Sequence, residues 1–137
     1  MPRVLALDYG SARCGCALSD PTGTLATPID PVLRPATRRG IGRLAELVRD
    51  RDVERVVVGL PLGMSGADTA QTEEARGFAA RLAERLGPAV PVELYDERLT
   101  TVQALRDPEG GASLDSRAAA HLLEAWLAAR SRRGEFS

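Results

Sequence analysis

The chain has 137 residues, the length of one ordinary domain, and its 44% hydrophobic and 27% charged residues suit a folded globular protein rather than a disordered one. Lys+Arg at 18 against Asp+Glu at 19 leaves a net charge of -1. That excludes a chain-wide basic coat and confines any nucleic-acid site to a local patch. Every cation is an arginine, with no Lys and no Asn in the chain, a bias that GC-rich codon usage produces. Each positive group is therefore a planar fork suited to bidentate contacts with phosphate or carboxylate.

No signal-peptide pattern opens the chain, because Met1-Pro2-Arg3 runs into a short apolar stretch, Val4 to Leu7, that ends at Asp8. No stretch approaches the ~20 apolar residues that span a bilayer. Cys14 and Cys16 stand two apart in a predicted strand, poorly placed to bridge, so buried reduced thiols are expected, an intermolecular disulfide being the minor alternative. A single His and no CxxC argue against zinc. A cytoplasmic protein without membrane contact is expected, folded as one domain over residues 1–137.

In chain order, Val4 to Leu7 is apolar on both parities and predicts a central strand buried on both faces. Asp8 to Ser11 is a turn, and Arg13 to Ser19 predicts a strand that pairs back. Leu25 to Leu33 predicts a third, interrupted strand, kept at an edge by Pro28, Pro31 and Pro35. Ile41, Leu44, Ala45 and Val48 place a helix over residues 37–50. Val53 to Leu60 is a buried strand, and Pro61 to Ala67 a loop. Asp68 and Gln71 are placed as N-cap and partner of a helix carrying Ala75, Phe78, Ala79, Leu82 and Leu86, which Gly87-Pro88 ends. Val90 to Tyr95 is a strand leading into Asp96-Glu97-Arg98. Thr100 with Gln103 caps a short helix, residues 108–112 connect, and a last helix runs from Ser113 to Arg130. The resulting fold class is α/β: a mixed five-stranded sheet with helices on both faces, in the element order of the ribonuclease H-like fold.

Most acids, Glu46, Asp50, Asp52, Glu54, Glu73, Glu74 and Glu84 among them, read as solvated charges on helix faces or ends. Asp8 differs, because it follows a doubly buried strand and needs a charged neighbour there. Asp96 and Glu97 end another strand on opposite parities, and parity alone does not choose between them. Asp115 begins the stripe Ala118, Ala119, Leu122 and Trp126 of the last helix, so it is expected to point inward; a carboxylate satisfied by the helix N-terminus is the alternative. Carboxylates converging from separate elements imply a hard divalent cation, Mg²⁺ or Mn²⁺, of the kind that acts on phosphates.

Four blocks of the sequence resemble the YqgF/RuvX family of RuvC-related nucleases. They are Asp8-Tyr9-Gly10-Ser11 with Arg13, Gly15 and Ala17; Val57-Val58-Gly59-Leu60-Pro61-Leu62 with Gly66; Asp96-Glu97-Arg98-Leu99-Thr100-Thr101 with Ala104; and Asp115-Ser116 with Ala118 and Ala119. Gly63 and Ser65 stand where the family has Asn and Asp, and the segment between Ala104 and Asp115 is shorter than the family's Lys-rich one. The resemblance implies a metal-dependent nuclease in 5′-end processing of precursor 16S ribosomal RNA, leaving 5′-phosphate and 3′-hydroxyl ends. The alternative is a Holliday junction resolvase in recombination. It implies Asp8 as central metal ligand, Glu97 with or without Asp96 as the second, and Asp115 as the third, all four acids being catalytic candidates. It further implies Arg13, Arg98, Ser11, Thr100 and Arg117 as substrate contacts; for Arg13 and Arg98 the alternative is an ion pair that holds the carboxylates. The partners are nucleic acid, single-stranded or structured RNA or branched DNA, and ribosomal precursor particles, with a homodimer left open.

Arg34, Arg38, Arg39 and Arg43 crowd the first helix start, and Arg130, Arg132 and Arg133 form a basic tail. Each group is either a solvated surface or a phosphate-tracking one, and the latter predicts steep salt dependence. Aromatic side chains are too few for base reading by stacking, and His121 falls off the apolar stripe, at the surface. Two other classes compete. A non-catalytic binding module would have lost the acids. An actin-type ATPase, suggested by Asp8-x-Gly10-Ser11, needs a second domain for which the length leaves no room.

Overall fold

A computed structural model of the chain describes residues 3–63, 65–99 and 114–132, apart from the side chains of Leu99, Leu114, Asp115, Ser131 and Arg132. Strands β1 (Arg3–Asp8), β2 (Arg13–Ser19) and β3 (Ala26–Leu33) form an antiparallel meander. Helix α1 (Arg38–Asp50) then leads to β4 (Val53–Leu60), and α2 (Ala70–Leu86) to β5 (Val92–Asp96). A single 3-10 turn, Glu97–Leu99, follows β5, and α3 (Leu114–Arg132) comes last. The sheet order is β3-β2-β1-β4-β5, with β4 parallel to β1 and β5 parallel to β4, as helical crossovers require. This is the mixed five-stranded, ribonuclease H-like arrangement expected from the sequence. The predicted short helix at Thr100 and the connection 108–112 lie outside the described residues.

The apolar run of β1 explains the layering. Leu5 and Leu7 pack with Leu44, Val48, Phe78 and Leu82 beneath α1 and α2. Val4 and Ala6 pack with Leu122, Leu123 and Trp126 beneath α3. Each of these large side chains contributes roughly 2 kcal/mol by leaving water. Pro28 and Pro31 sit in β3, an edge strand that tolerates their missing donors. Cys14 and Cys16 are buried thiols outside any disulfide. The β2–β3 register slips between them, and the Cys16 N–H there donates to Ser116 Oγ at 3.3 Å, which seats the first turn of α3 on β2.

One cap differs from expectation. Thr69, not Asp68, is the N-cap of α2: its hydroxyl accepts from Thr72 N at 3.2 Å, and Thr72 Oγ1 accepts from Thr69 N at 3.0 Å. The buried Thr72 hydroxyl also donates to the Pro61 carbonyl, and this contact with the preceding loop shifts the box by one residue. Asp68 pairs instead with Arg76 at 3.2 Å.

Candidate active site

β1, β4 and β5 are parallel and end at one edge of the sheet, where Asp8, Leu60 and Asp96 are their last residues. Which acids meet there follows from which helices cover each face. Val57 belongs to the core under α3, so Gly59 two residues on faces the same side. Glu93 faces α3 as well, accepting from Trp126 Nε1 at 3.0 Å and Arg130 Nη2 at 2.7 Å. Asp8 continues the parity of Val4 and Ala6 toward α3, whereas Asp96 continues that of Val92 toward the other face. The strand stops at Asp96, and the 3-10 turn carries Glu97 across Gly59 to Asp8.

Gly59 is the cradle for this carboxylate. A Cβ there would lie 2.5 Å from Glu97 Oε1 and 2.9 Å from its Cγ, so only glycine leaves room. Glu97 is hydrogen-bonded to Asp8. Burial first, then that bond, then the charges of Asp8 and Asp96, push its pKa from 4.5 up to about 8. Two carboxyl groups in this arrangement share a proton, because both cannot ionise at such range without a cation between them. A cavity of about 350 Å³ opens over them, walled by Tyr9, Gly10, Ser11, Pro61, Gln71 and Glu74. Gly10 makes the β1–β2 turn close: a Cβ there would fall 2.7 Å from the Arg13 carbonyl oxygen.

Asp96 is engaged elsewhere. It accepts from Arg98 N at 2.9 Å, from Arg98 Nε at 3.0 Å and from Arg98 Nη2 at 2.7 Å, and the Arg98 contacts hold its carboxyl below the usual range. The Arg98 guanidinium also lies against Gly66, whose φ of +85° keeps the loop after β4 close: a Cβ there would be 3.3 Å from Nη1. The structure thus brings Asp8, Glu97 and Ser11 together and sets Asp96 with Arg98 beside them. Arg13 is exposed at the start of β2, and Arg117 is half-buried in α3. Asp115 is in the first turn of α3, next to Ser116, which is bonded to β2; its side chain lies outside the described residues, as does Thr100. Among the described residues no group of three or more His, Cys, Asp and Glu is arranged to hold a metal ion.

Three features escaped the sequence reading. Glu74 is a solvated, exposed acid as expected, and with Gln71 it also stands at the wall of the cavity. The available signal was position, since α2 must begin at the edge where β4 ends. Glu93 gathers Arg55 Nη1 at 2.9 Å with the two α3 donors, and Arg130 stacks on Trp126 at 4.5 Å, so Arg130 is a clamp and no part of a free basic tail. His121 is half-buried and pairs with Glu124 at 3.1 Å rather than standing free at the surface.

Residues 2–129 match the sequence profile of the RuvX family, described as "Holliday junction resolvase". A protein of Koribacter versatilis (strain Ellin345), named "Putative pre-16S rRNA nuclease", is 40% identical over 136 residues, which cover 93% of this chain and 88% of that one. One of Mycobacterium leprae (strain TN) with the same name is 43% identical over 133 residues, 91% of this chain and 72% of that one. Among solved structures, "T. thermophilus RuvC in complex with Holliday junction substrate" superposes with a TM-score of 0.59 at 19% identity, covering 96% of this chain and 97% of that one, a likeness of fold. The four motif blocks, the sheet order and these matches agree, and the chain belongs to the RuvX family.

Proposed function

We propose that the chain is a metal-dependent nuclease that hydrolyses phosphodiester bonds of RNA in 5′-end processing of precursor 16S ribosomal RNA. The observation that carries this reading is the half-buried carboxyl pair Asp8–Glu97, hydrogen-bonded to each other at the sheet edge in the room that Gly59 leaves. The identity of about 40% to relatives named for that processing supports the substrate. An all-oxygen donor pair that repels itself, in a cradle a Cβ would fill, fits a hard cation such as Mg²⁺ or Mn²⁺. Asp8 and Glu97 would hold it, with Asp115 from α3. When bound, such an ion supplies Lewis-acid charge for phosphodiester hydrolysis.

The protein's own part is positioning. Glu97, which Gly59 keeps beside Asp8, would be a ligand in its deprotonated form. Ser11 and Gln71 offer hydrogen-bonding groups to a phosphate in the cavity, and Glu74 offers an acceptor for a water or a sugar hydroxyl. The Asp96–Arg98 pair fastens the loop after β4 at Gly66. Attack of water on phosphorus opposite O3′ would break the P–O3′ bond, leaving the phosphate on the 5′ end while the O3′ leaving group takes a proton to become a 3′-hydroxyl.

A second reading, a junction resolvase, is favoured by the family description and the RuvC-like fold. It requires two active sites related by a two-fold axis. Cleavage in Mn²⁺ of matched single-stranded RNA, single-stranded DNA and a four-way junction separates the two readings. RNA cut by the wild type and left intact by Asp8→Asn supports the first. Symmetric cutting of the junction alone replaces it with the second. Cutting by Asp8→Asn at the wild-type rate removes the site assignment from both.

A further inference from the structure

The four arginines at the start of α1 lie on the same sheet edge as the carboxyl pair. β2 begins and β3 ends there, because both alternate in direction from β1, and Arg13 pairs with Leu33. The edge therefore runs from Asp8 across the start of β2 to Arg34, a distance of two strand spacings or roughly 10 Å.

This end of the edge is rigid. Arg34 has a φ of 46°, unusual for a residue with a side chain. Its N–H donates to the Ala12 carbonyl at 2.9 Å, in the turn that follows Asp8. Its carbonyl accepts from Thr37 N at 3.1 Å and Thr37 Oγ1 at 2.7 Å. Gly40 leaves room for the close crossing, since a Cβ there would be 2.2 Å from the Arg34 carbonyl oxygen. The turn beside the carboxyl pair, the end of β3 and the first turn of α1 are thus tied together.

Two grooves flank that turn. One, of about 900 Å³, is lined by Arg34, Arg39 and Arg43 with Thr37 and the exposed Leu33. The other, of about 490 Å³ between α1 and α2, is lined by Arg38, Arg81 and Arg85. Arg81 also lies within electrostatic reach of Tyr9, which walls the cavity over the carboxyl pair. All six arginines are exposed, and among the described residues none takes part in an ion pair. The acids among the linings are Asp30 in one groove and Glu84 in the other.

We propose that this arginine surface tracks the phosphate backbone of a single RNA strand leaving the cleavage site toward α1. It rests on the nuclease reading and adds the path of the substrate to it. Six planar forks on a rigid platform, with no carboxylate engaged, match a chain of phosphates better than a point anion.

The test is fluorescence anisotropy of a labelled single-stranded RNA with the full-length protein in EDTA, across a salt series. Arg39→Gln with Arg43→Gln should weaken binding roughly tenfold at low salt and reduce the log–log salt slope by about 1.4, at about 0.7 per lost phosphate contact. Arg38→Gln with Arg81→Gln should act in the same way from the other groove. Arg49→Gln, at the far end of α1 and exposed beside Asp50, should leave the slope unchanged. Because all four substituted groove residues are exposed, the melting temperature should not move and a fall in affinity reports contact rather than unfolding. Slopes and affinities that match wild type in both double variants overturn the surface, even where Asp8→Asn has lost cleavage. Arginine-dependent binding with Asp8→Asn still cutting at the wild-type rate leaves the surface standing and overturns the nuclease site.

Discussion

Glu93 and Glu97 are four residues apart, on or just beyond the same strand, and both are half-buried on the side facing α3. Their surroundings are opposite. Glu93 is met by Arg55, Arg130 and the Trp126 N–H, which makes it a fastener between the helix and the sheet. Glu97 is met by Asp8, and every influence on its titration pushes the proton on. A carboxylate surrounded by donors is doing structural work, whereas one driven against another carboxylate lowers stability in a way that a cation would relieve. The contrast separates a joint from a candidate site within one strand.

The largest effect expected from breaking the contrast is at Asp8. Asp8→Asn should reduce cleavage of single-stranded RNA in Mn²⁺ by at least ~100-fold, the scale of removing a group that organises transition-state charge. Its melting temperature should be equal to or above wild type, because the substitution relieves the carboxyl pair. A variant that melts well below wild type would show that Asp8 is a joint after all. Next is Gly59→Ala. Its methyl must displace Glu97 without touching the Glu93 network, so cleavage should fall by roughly tenfold or more while the core holds, a scale typical of ångström-level misplacement. Retained activity with an undisturbed Glu97 would break the cradle argument.

Glu93→Ala should give the reverse pattern. Stranding two guanidinium groups and an indole N–H costs about 1–3 kcal/mol, and partial exposure favours the lower end. Thermal melting should drop by several degrees with cleavage per folded molecule unchanged. A loss of cleavage without a loss of stability would move Glu93 into the site.

The smallest effect is a pH dependence. In the metal-free folded chain Glu97 keeps its proton between its ordinary 4.5 and about 8, a range in which the unfolded chain has released it. Stability from this group is therefore full below about 4.5 and is lost as pH rises through about 8. Denaturant melts in EDTA should show stability declining across that window, and Glu97→Gln should flatten the decline. A rise in stability there would contradict the shared proton.

Much of this was legible in the residues. The doubly apolar run before Asp8 placed β1 at the centre, the helix stripes set the layers, and the prolines of β3 put it at an edge. The motif blocks named the four acids. Two things were not legible. Parity set Glu97 on the face of Glu93 and Tyr95 but could not choose between it and Asp96, because helices cover both faces of the sheet and only the structure shows that Asp8 and Gly59 face the α3 side. The fastening of Arg130 was not legible, and neither was the nearness of the exposed Glu74 to the carboxyl pair, because helix spacing says nothing about what a neighbouring strand end or aromatic ring brings within reach. The near-neutral composition hid a polarised edge, with a carboxyl pair at one end and the four arginines at the start of α1 at the other.

The most direct test is Mn²⁺ titration calorimetry at neutral pH in buffers of different ionisation enthalpy. Wild type should bind Mn²⁺ with net proton release, as Glu97 exchanges its proton for the ion, and Asp8→Asn and Glu97→Gln should each lose the site. Binding of Mn²⁺ by both variants as in wild type, with no proton released, would contradict a shared Asp8–Glu97 centre.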